Sequence, residues 1–412
     1  MYRRALLSAA ATPLVATALP GCVTTQGPAS DEWGAALGYP SGWGPPGLPP
    51  RWEAYAGYRV GNFSGGFEAM FRHEVLRATD KPSAFSQPGA EARARTSGLR
   101  AAAEAHLRSW PATGLLVQRD GEILFEGYGL GRTPEARFTS WSMAKSVTSI
   151  LLGIALDLGM VRSIDDVAAD YVPGLEGTLH GRTRLRHLLN MSSGAEVDHA
   201  RDPVRIDVPA LLGTPNARAT GTDLERVVRG WNAQREPAGT RFNYNELCPL
   251  TIGMVIRAAS RTSLSAFAEE HLWRPIGAEG DATWLCDSRG KEYNCAGFAA
   301  RLRDWGRLGR LVAQRGRLGD RQIVSSTYID SCASWGPEDR QVAFGVARPD
   351  TGYRNFFWHP RADGQWLVMN GHLGQRLAVD LASRTAMVRT AVSHDGAWSR
   401  DFYALFEAAI RA

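Results

Sequence analysis

A serine and a lysine three positions apart are the residues of this sequence with the clearest capacity for chemistry. Ser142 and Lys145 stand in the stretch "TSWSMAKSVTSILLGIALDLG", which covers residues 139–159. Residues three apart on a helix lie on one face, so the hydroxyl and the amine are predicted neighbours. A serine hydroxyl is a weak nucleophile that needs an adjacent base, and a lysine deprotonated by burial can serve as one. The pair therefore predicts acyl transfer through a serine nucleophile.

The choice of lysine at position 145 is informative in itself. The chain has 412 residues and 47 basic side chains, of which only three are lysines. A guanidinium stays protonated in proteins, whereas burial can remove the proton of an amine. We therefore expect a neutral Lys145 amine in a dry cleft. The alternative is that Ser142 caps the helix and Lys145 is a solvated first-turn residue.

A second match to the Ser-x-x-Lys spacing runs from Ser288 to Lys291 in a polar stretch that contains a glycine. No apolar helical face follows it, so we interpret it as a turn. The first match differs because Trp141 precedes the serine and apolar residues at helical spacing continue to Gly159. The pattern predicts a buried helix with Ser142 in its first turn.

The stretches "SWSMAKSVTSILLGIAL", "SIDDVAADYVPGL" and "TRLRHLLNMSSG" resemble the serine hydrolases related to class C β-lactamases and penicillin-binding proteins. The chain is similar to the esterases and the 6-aminohexanoate-dimer hydrolases of that group, over residues 105–395. The resemblance implies a DD-peptidase/β-lactamase-like fold of the α/β (α+β) class. It also implies an antiparallel sheet flanked by helices, a mostly helical lobe, and a Ser142 acyl-enzyme that needs no cofactor or metal.

A tyrosine in a Tyr-x-Asn-type motif follows in that family. "EPAGTRFNYNELCPLTIGMVI" matches its Pro-x-Gly-Thr lead and the helix after it, which places the tyrosine at Tyr244 and a pocket asparagine at Asn245. A phenol near a buried lysine can be held partly ionised and can shuttle a proton. The alternative is a core tyrosine. Glu246 stands where the family has asparagine, and the literal match Tyr353-Arg-Asn355 is set aside because it lacks the lead.

The third motif of the family is Lys-Thr-Gly or a His-x-Gly version on a strand, and "HLG" in "NGHLGQRLAVD" resembles the latter. The resemblance implies that the backbone N–H groups of Ser142 and Gln375 form an oxyanion hole. It implies that His372 orients the substrate or assists proton transfer, and that Trp141 and Gly374 line the pocket. The absent lysine and threonine favour esterase or amidase activity over β-lactam turnover.

These motifs predict a secreted serine hydrolase that cleaves a small-molecule ester or linear amide. A β-lactamase or D-alanyl carboxypeptidase is the alternative within the fold, and a non-catalytic lipoprotein binding module is the alternative outside enzymes. By resemblance, residues 195–207 line one wall of the cleft. Their acids Glu196, Asp198 and Asp202 are more simply solvated surface charges.

The elements that must position these residues appear at both ends of the chain. "GLLVQRDGEILFEGYG" predicts a hairpin around residues 119–121, and "QRLAVDLASRTAMVRTAVS" predicts two strands around residues 382–384. Residues 90–108 and "SRDFYALFEAAIRA" predict helices, and residues 163–335 give helices and loops. The pattern predicts one α/β layer plus a mostly helical lobe at 163–335, within a hydrolase domain at 67–412.

The N-terminal segment predicts export. "MYRR", the apolar "ALLSAAATPLVATA" and "LPGC" have the layout of a signal peptide at residues 1–22 that resembles a lipoprotein leader with lipidation at Cys22. Ordinary signal-peptidase cleavage stays open because of Pro20. Val23, rather than an acid, suggests an outer-membrane lipid anchor facing the periplasm as the sole membrane contact. Residues 23–66 are rich in Gly and Pro and predict a tether.

Composition and cysteines narrow the partners. The chain is 44% apolar with a net charge of +5, but no basic run is interleaved with aromatics, which argues against nucleic acid. No Cys-x-x-Cys or His-x-x-x-His spacing supports a metal site. In an oxidising compartment Cys248, Cys286, Cys295 and Cys332 are expected as disulfides or free thiols. Cys286 and Cys295 flank "DSRGKEYN" and are the candidate pair.

Overall fold

A computed structural model describes residue 68 and residues 72–198, 223–344, 352–393 and 396–412. The predicted signal peptide with Cys22, the tether at 23–66 and Asp202 lie outside the described residues, so these expectations stay predictions. Within the described ranges, every helix is too short or too polar to cross a bilayer.

The strands follow one another along the chain as β1 (His73–Leu76), β2 (Ala112–Arg119), β3 (Glu122–Tyr128), β4 (Arg137–Thr139), β5 (Ala282–Leu285), β6 (Phe298–Arg301), β7 (Arg317–Leu318), β8 (Arg321–Gln322), β9 (Gly352–Arg354), β10 (Phe357–His359), β11 (Trp366–Gly371), β12 (Gln375–Asp380) and β13 (Thr385–Ala391). The described α-helices are α1 (Ala90–Arg95), α2 (Ser97–Ser109), α3 (Met143–Asp157), α4 (Leu185–Leu189), α5 (Leu224–Gly230), α6 (Leu247–Ser260), α7 (Leu264–Ala268), α8 (Leu302–Ala313), α9 (Ser326–Ala333), α10 (Pro337–Phe344) and α11 (Trp398–Arg411).

Strands β2 and β3 join strands β9 to β13 in one seven-stranded sheet in the order β3-β2-β13-β12-β11-β10-β9, with every neighbouring pair antiparallel. Its side chains alternate between two cores: Leu115 and Val117 join a cluster with α2 and α11, while Leu116 joins the main core. Helices α8 and α3 pack on the second face. Because both faces of the sheet are covered, the sheet is a buried layer against which α3 packs. The predicted mixed class, with an antiparallel sheet flanked by helices, is confirmed.

The predicted hairpins are confirmed. Strands β2 and β3 are joined through Asp120 and Gly121, whose φ angles of 50° and 89° are both left-handed. A two-residue hairpin turn of this kind requires positive φ at both central residues, which Asp-Gly supplies readily. Strands β12 and β13 meet around residues 381–384, and α11 closes the chain as expected.

The region predicted as a mostly helical lobe contains strands that the sequence pattern did not reveal. Strands β5 and β6 are the centre of a second antiparallel sheet in the order β1-β5-β6-β4. Both are four residues long and almost wholly buried, so they show no alternation of apolar and polar residues and cannot be distinguished from buried helix by periodicity. Conversely, "SIDDVAADYV" contributes only a 3₁₀ turn at Ala168–Asp170.

The disulfide alternative is wrong and the free-thiol alternative is confirmed: Cys248, Cys286, Cys295 and Cys332 are all free and buried. The chain after β5 folds back, and the backbone of Cys286 forms an isolated antiparallel β-bridge with that of Glu292. The Cys286 thiol donates to the Trp284 carbonyl at 3.5 Å.

Candidate active site

The turn before α3 presents Ser142. The serine lies one position before the first helical residue, Met143, and its side chain makes no capping hydrogen bond, so the capping alternative is wrong. Trp141 has a φ of 46°, which is unusual for a bulky residue and costs on the order of 1–3 kcal/mol. Burial of the Trp141 side chain and the hydrogen bond from the Ser140 N–H to the Phe298 carbonyl, at 2.7 Å, hold this turn.

Helix α3 carries Lys145 into the interior. All its residues from Met143 to Ala155 are buried, including the lysine and the hydroxyl-bearing residues of its first two turns. Its hydroxyls are satisfied: Ser146 Oγ donates to the Phe356 carbonyl at 2.6 Å, and Thr148 Oγ1 donates to the Asn294 carbonyl at 2.9 Å. The helix is therefore clamped from several directions, which fixes the amine that it carries.

The Lys145 amine lies among oxygen acceptors from different parts of the chain. Its Nζ donates to Ser142 Oγ at 3.0 Å, to Glu246 Oε1 at 2.9 Å and to the Cys295 carbonyl at 3.0 Å. The Lys145 and Glu246 side chains are only 2% and 9% exposed. Three acceptors are enough for the three N–H bonds of an ammonium, so the resting site matches a charged lysine.

The expected neutral amine is therefore wrong for the resting site. Burial acts to lower the pKa of Lys145. Glu246, and after it Tyr244 and Cys295, act to raise this pKa, and together they outweigh burial, so the net direction is upward. The solvated-lysine alternative is wrong as well, because the side chain is almost wholly enclosed. The sequence did not show that a carboxylate 101 residues away would contact Nζ.

Tyr244 lies beside the pair, as the motif predicted. Its phenol shares side-chain hydrogen bonds with Ser142 and Lys145, and Lys145 Nζ is 4.8 Å from the centre of its ring. Burial raises the pKa of Tyr244 and Glu246 adds to this, which outweighs the opposite effect of Lys145. The phenol is thus protonated at rest, and the expectation of a partly ionised phenolate is wrong.

An aromatic cluster backs the Tyr244 ring. Its members are Tyr244, Phe242, Tyr353 and Trp358, with ring centres 4.9–6.4 Å apart. Tyr353 is 1% exposed and belongs to β9. It is a core residue of this cluster, in agreement with setting aside its literal Tyr-x-Asn match. The cluster gives the site one apolar wall.

Asn245 does not line a pocket, which corrects the prediction from the motif. Its Nδ2 donates to the Asn243 carbonyl at 2.7 Å and its Oδ1 accepts from the Cys248 N–H at 3.0 Å. The residue is 1% exposed, so its amide is spent on the turn that starts α6. This turn holds Tyr244 and Glu246 on either side.

The first residues of the predicted cleft wall at 195–207 lie against the same turn. Asn243 Nδ2 donates to the Ala195 and Val197 carbonyls at 3.2 and 3.1 Å. Glu196 is exposed, in keeping with a solvated charge. Residues 199–207 lie outside the described residues, so the wall itself stays a prediction.

The third motif forms a 3₁₀ turn at His372–Gly374 between β11 and β12, not a strand as the family pattern suggested. Leu373 and Gly374 have φ angles of 57° and 87°, which bend the chain sharply before Gln375. The buried Arg389 donates through Nη1 to the Gly374 carbonyl at 2.7 Å. The guanidinium of Arg389, on β13, thus helps to hold this turn in place.

The nucleophile turn and the third motif meet in the structure. The Trp141 and His372 rings pack edge to face with centres 5.2 Å apart. A Cβ placed on Gly371 would lie 2.3 Å from the Ser140 carbonyl oxygen, so only glycine allows this approach. Gly371 is the register partner of Gln375. These contacts bring Ser142 and Gln375 to the same end of the sheet; the roles of their N–H groups, and that of His372, stay predictions.

Sequence reasoning missed three contributors: the Glu246 carboxylate, the Cys295 carbonyl and Arg389. The presence of Glu246 where the family has asparagine was a signal that this position differs. The sequence did not show that its carboxylate contacts Lys145. The second Ser-x-x-Lys match is a turn as predicted, with Asp287 Oδ1 accepting from the Lys291 N–H at 2.8 Å. In the described part of the chain, no group of three or more His, Cys, Asp or Glu side chains could hold a metal ion.

Comparisons with known proteins identify the family of the chain and agree with its fold. The model of the family described as Beta-lactamase matches residues 99–409. The 6-aminohexanoate-dimer hydrolase of Paenarthrobacter ureafaciens is 24% identical over 283 residues, which is 66% of this chain and 71% of that protein. The structure of a Bacillus anthracis protein assigned as a 6-aminohexanoate-dimer hydrolase superposes with a TM-score of 0.68, 18% identity, and coverage of 83% and 90% of the two chains. A family VIII carboxylesterase superposes with a TM-score of 0.58, 18% identity, and coverage of 82% and 99%.

Proposed function

The chain belongs to the beta-lactamase family, and we propose that this serine hydrolase cleaves an ester or a linear amide through an acyl-enzyme on Ser142. One observation carries the proposal. Ser142 Oγ lies 3.0 Å from Lys145 Nζ, in a buried site at the N-terminus of α3. A nucleophile in contact with a proton-carrying side chain, at the positive end of a helix, is suited to attack a carbonyl and stabilise the charge that forms.

The reaction proceeds in two halves. Ser142 attacks the substrate carbonyl, and the carbonyl oxygen gains negative charge. The backbone N–H groups of Ser142 and Gln375 donate hydrogen bonds to that negatively charged oxygen. Such stabilisation of the oxyanion is usually the largest single contribution to lowering the barrier of acyl transfer. The hydroxyl proton that Ser142 loses passes by way of Lys145 and the neutral phenol of Tyr244 to the leaving group, whose bond to the carbonyl carbon breaks to give the acyl-enzyme. Water then takes the place of the leaving group and releases the acid.

The substrate class follows from two features. His372 stands where a β-lactamase of this group has lysine, so this motif lacks the permanent charge that would attract the carboxylate of a β-lactam. The aromatic cluster behind Tyr244 offers an apolar wall for an acyl chain. Relatives that are named 6-aminohexanoate-dimer hydrolase and carboxylesterase point the same way. A D-alanyl carboxypeptidase is the second candidate within the fold.

A binding module without turnover is disfavoured by the contacts of the site. The hydroxyl, the amine and the phenol are all present and hydrogen-bonded to one another. For its location, the leader at residues 1–22 supports export to the periplasm with a lipid on Cys22. Intact mass of the native N-terminus tests this, because diacylglycerol on Cys22 adds a mass that simple cleavage does not.

The experiment on function uses a fluorophosphonate probe and four substrates: two p-nitrophenyl esters of different chain length, the linear 6-aminohexanoate dimer and the chromogenic β-lactam nitrocefin. Wild type is expected to be labelled and to turn over an ester or the dimer. Ser142→Ala is expected to lose both properties. Ser288→Ala is the matched control, since it changes the serine of the other Ser-x-x-Lys spacing, and it is expected to behave as wild type. Labelling that persists in Ser142→Ala, or no turnover of any substrate by wild type, contradicts the proposal.

A further inference from the structure

The ion pair between Lys145 and Glu246 poses a chemical problem for the proposed function. An ammonium has no lone pair, so it cannot take the proton that Ser142 must lose. All three N–H bonds of Lys145 have acceptors at 2.9–3.0 Å, and one of these acceptors is the nucleophile itself. The site needs a group that relieves Lys145 of one proton before Ser142 attacks.

We propose that Glu246 is a positioning residue that takes and holds this proton throughout the catalytic cycle, and thereby converts Lys145 into the base for Ser142. The inference rests on the proposed function. Glu246 precedes the first residue of α6, and its carboxylate is in direct contact with Nζ at 2.9 Å. The carboxylate acts on Ser142 through Lys145, whose Nζ contacts both residues.

The proton transfers balance. One Nζ–H bond breaks as an Oε1–H bond forms on Glu246, which leaves a neutral amine and a carboxylic acid. Ser142 then loses its proton to Nζ as its Oγ bonds to the carbonyl carbon, and the carbonyl π electrons move to oxygen. When the intermediate collapses, the bond to the leaving group breaks and the leaving group takes the proton from Lys145 by way of Tyr244. Water repeats these steps, and the acid proton returns to Lys145 at the end.

Burial is what makes a carboxylate suitable for this role. The two side chains are 2% and 9% exposed, so the ion pair receives little stabilisation from water. Separated charges in a dry site are costly, and conversion to a neutral pair removes that cost. A substrate that covers the site excludes more water and moves the proton towards Glu246. An asparagine at this position could hydrogen-bond to Lys145 but could not take its proton.

Among the described residues, the titratable groups that face the pair include the Tyr244 phenol and the thiols of Cys248 and Cys295. Lys145 and Ser142 come from the start of α3, Tyr244 and Glu246 from the turn before α6, and the Cys295 carbonyl from the chain before β6. Cys248 lies in the first turn of α6, near enough to Glu246 for the carboxylate to affect its pKa. Burial raises the pKa of the Cys248 thiol to about 11, and Glu246 acts in the same direction, so the thiol is neutral at neutral pH. Lys145 and Glu246 are thus the two charged members of this set.

The pH dependence of the reaction tests the proposal. In wild type, the rate falls on the acid side of the pH profile when Lys145 and Glu246, which share one proton at rest, bind a second proton. This fall is the acid limb of the profile. In Glu246→Gln the amine itself must lose its proton to solvent, and an amine titrates above a carboxylate. The expected result is an acid limb displaced to higher pH, with a rate at neutral pH lower by roughly 100-fold that recovers in alkali. Glu246→Asp, which keeps a carboxylate, is expected to restore the wild-type position of the limb.

The measurement is kcat/KM for a p-nitrophenyl ester and the rate of fluorophosphonate labelling across pH, with a thermal midpoint for each variant. Glu246→Asn is the second amide variant if the first unfolds. Glu225→Gln is the matched control, because Glu225 pairs with Arg257 in the same lobe without touching the nucleophile; its limb should not move. An unmoved limb in the amide variants overturns the inference, even if their rates fall. If the fluorophosphonate did not label Ser142 in the wild-type protein, the proposed function itself would be overturned instead.

Discussion

The ammonium of Lys145 and the carboxylate of Glu246 meet at 2.9 Å between the N-termini of α3 and α6. The two residues are far apart in the sequence, and neither has appreciable contact with solvent. A buried ion pair tolerates removal of both charges better than removal of one, because a single remaining charge is left without compensation. This asymmetry gives a measurement that does not depend on activity.

Lys145→Met is expected to lower the free energy of unfolding by about 3–5 kcal/mol, since it leaves Glu246 buried without its cation. The double variant Lys145→Met with Glu246→Gln is expected to recover most of that loss while staying inactive. Denaturant unfolding of the two single variants and the double variant measures the coupling between the sites. A loss of stability in the double variant equal to the sum of the losses in the two single variants would show that the pair is not coupled.

Gly371→Ala is expected to reduce kcat/KM by at least about 100-fold, comparable to the loss of an oxyanion-hole donor. The added Cβ would lie 2.3 Å from the Ser140 carbonyl, a backbone atom that cannot move away without shifting the nucleophile turn. Gly98→Ala in α2 is the matched control, because its added Cβ has no neighbour within 4 Å. Ester hydrolysis by both variants is the measurement. A fully active Gly371→Ala would argue that Gln375 does not contribute to the site.

Acid is expected to destabilise the protein through its buried histidines. Burial lowers the pKa of His180 and of His359 to about 4 in the folded protein. In the unfolded chain each binds a proton below about pH 6.5, so between pH 6.5 and about 4 protons favour the unfolded state. Each histidine then contributes about 3 kcal/mol that is present above pH 6.5 and lost as the pH falls through that interval.

The measurement is the free energy of unfolding in denaturant at neutral and at mildly acidic pH. His180→Asn removes one titrating group, so its stability should fall less steeply with acid than that of wild type, whatever its stability at neutral pH. An identical pH dependence in wild type and His180→Asn would mean that this histidine is not held neutral by the fold.

Alkylation is expected to find four free thiols in a chain that starts after Cys22. Because Cys248, Cys286, Cys295 and Cys332 are buried, the folded protein should resist iodoacetamide, and the denatured protein should take up four groups without a reductant. Intact mass reads both results. A denatured protein that takes up two groups until it is reduced would restore the predicted disulfide between Cys286 and Cys295.

Local pattern accounts for much of what could be predicted. The β2–β3 hairpin follows from Asp120-Gly121 between apolar runs, and helix α3 follows from its apolar spacing and the glycine that ends it. These features depend on neighbours within a few residues, which the sequence displays directly. Strands β5 and β6 were missed because they are short and buried on every side, so they lack a period to detect.

The sequence by itself determined which atoms can react: a hydroxyl and an amine on one helical face, with a phenol in a motif a hundred residues later. Only the tertiary structure decided the state in which they rest. The charge of Lys145 depends on Glu246 and on the Cys295 carbonyl, which lies 150 residues away along the chain. Burial and an opposing charge act through space and pull the pKa of an amine in opposite directions, so the outcome is fixed only when the whole chain has packed.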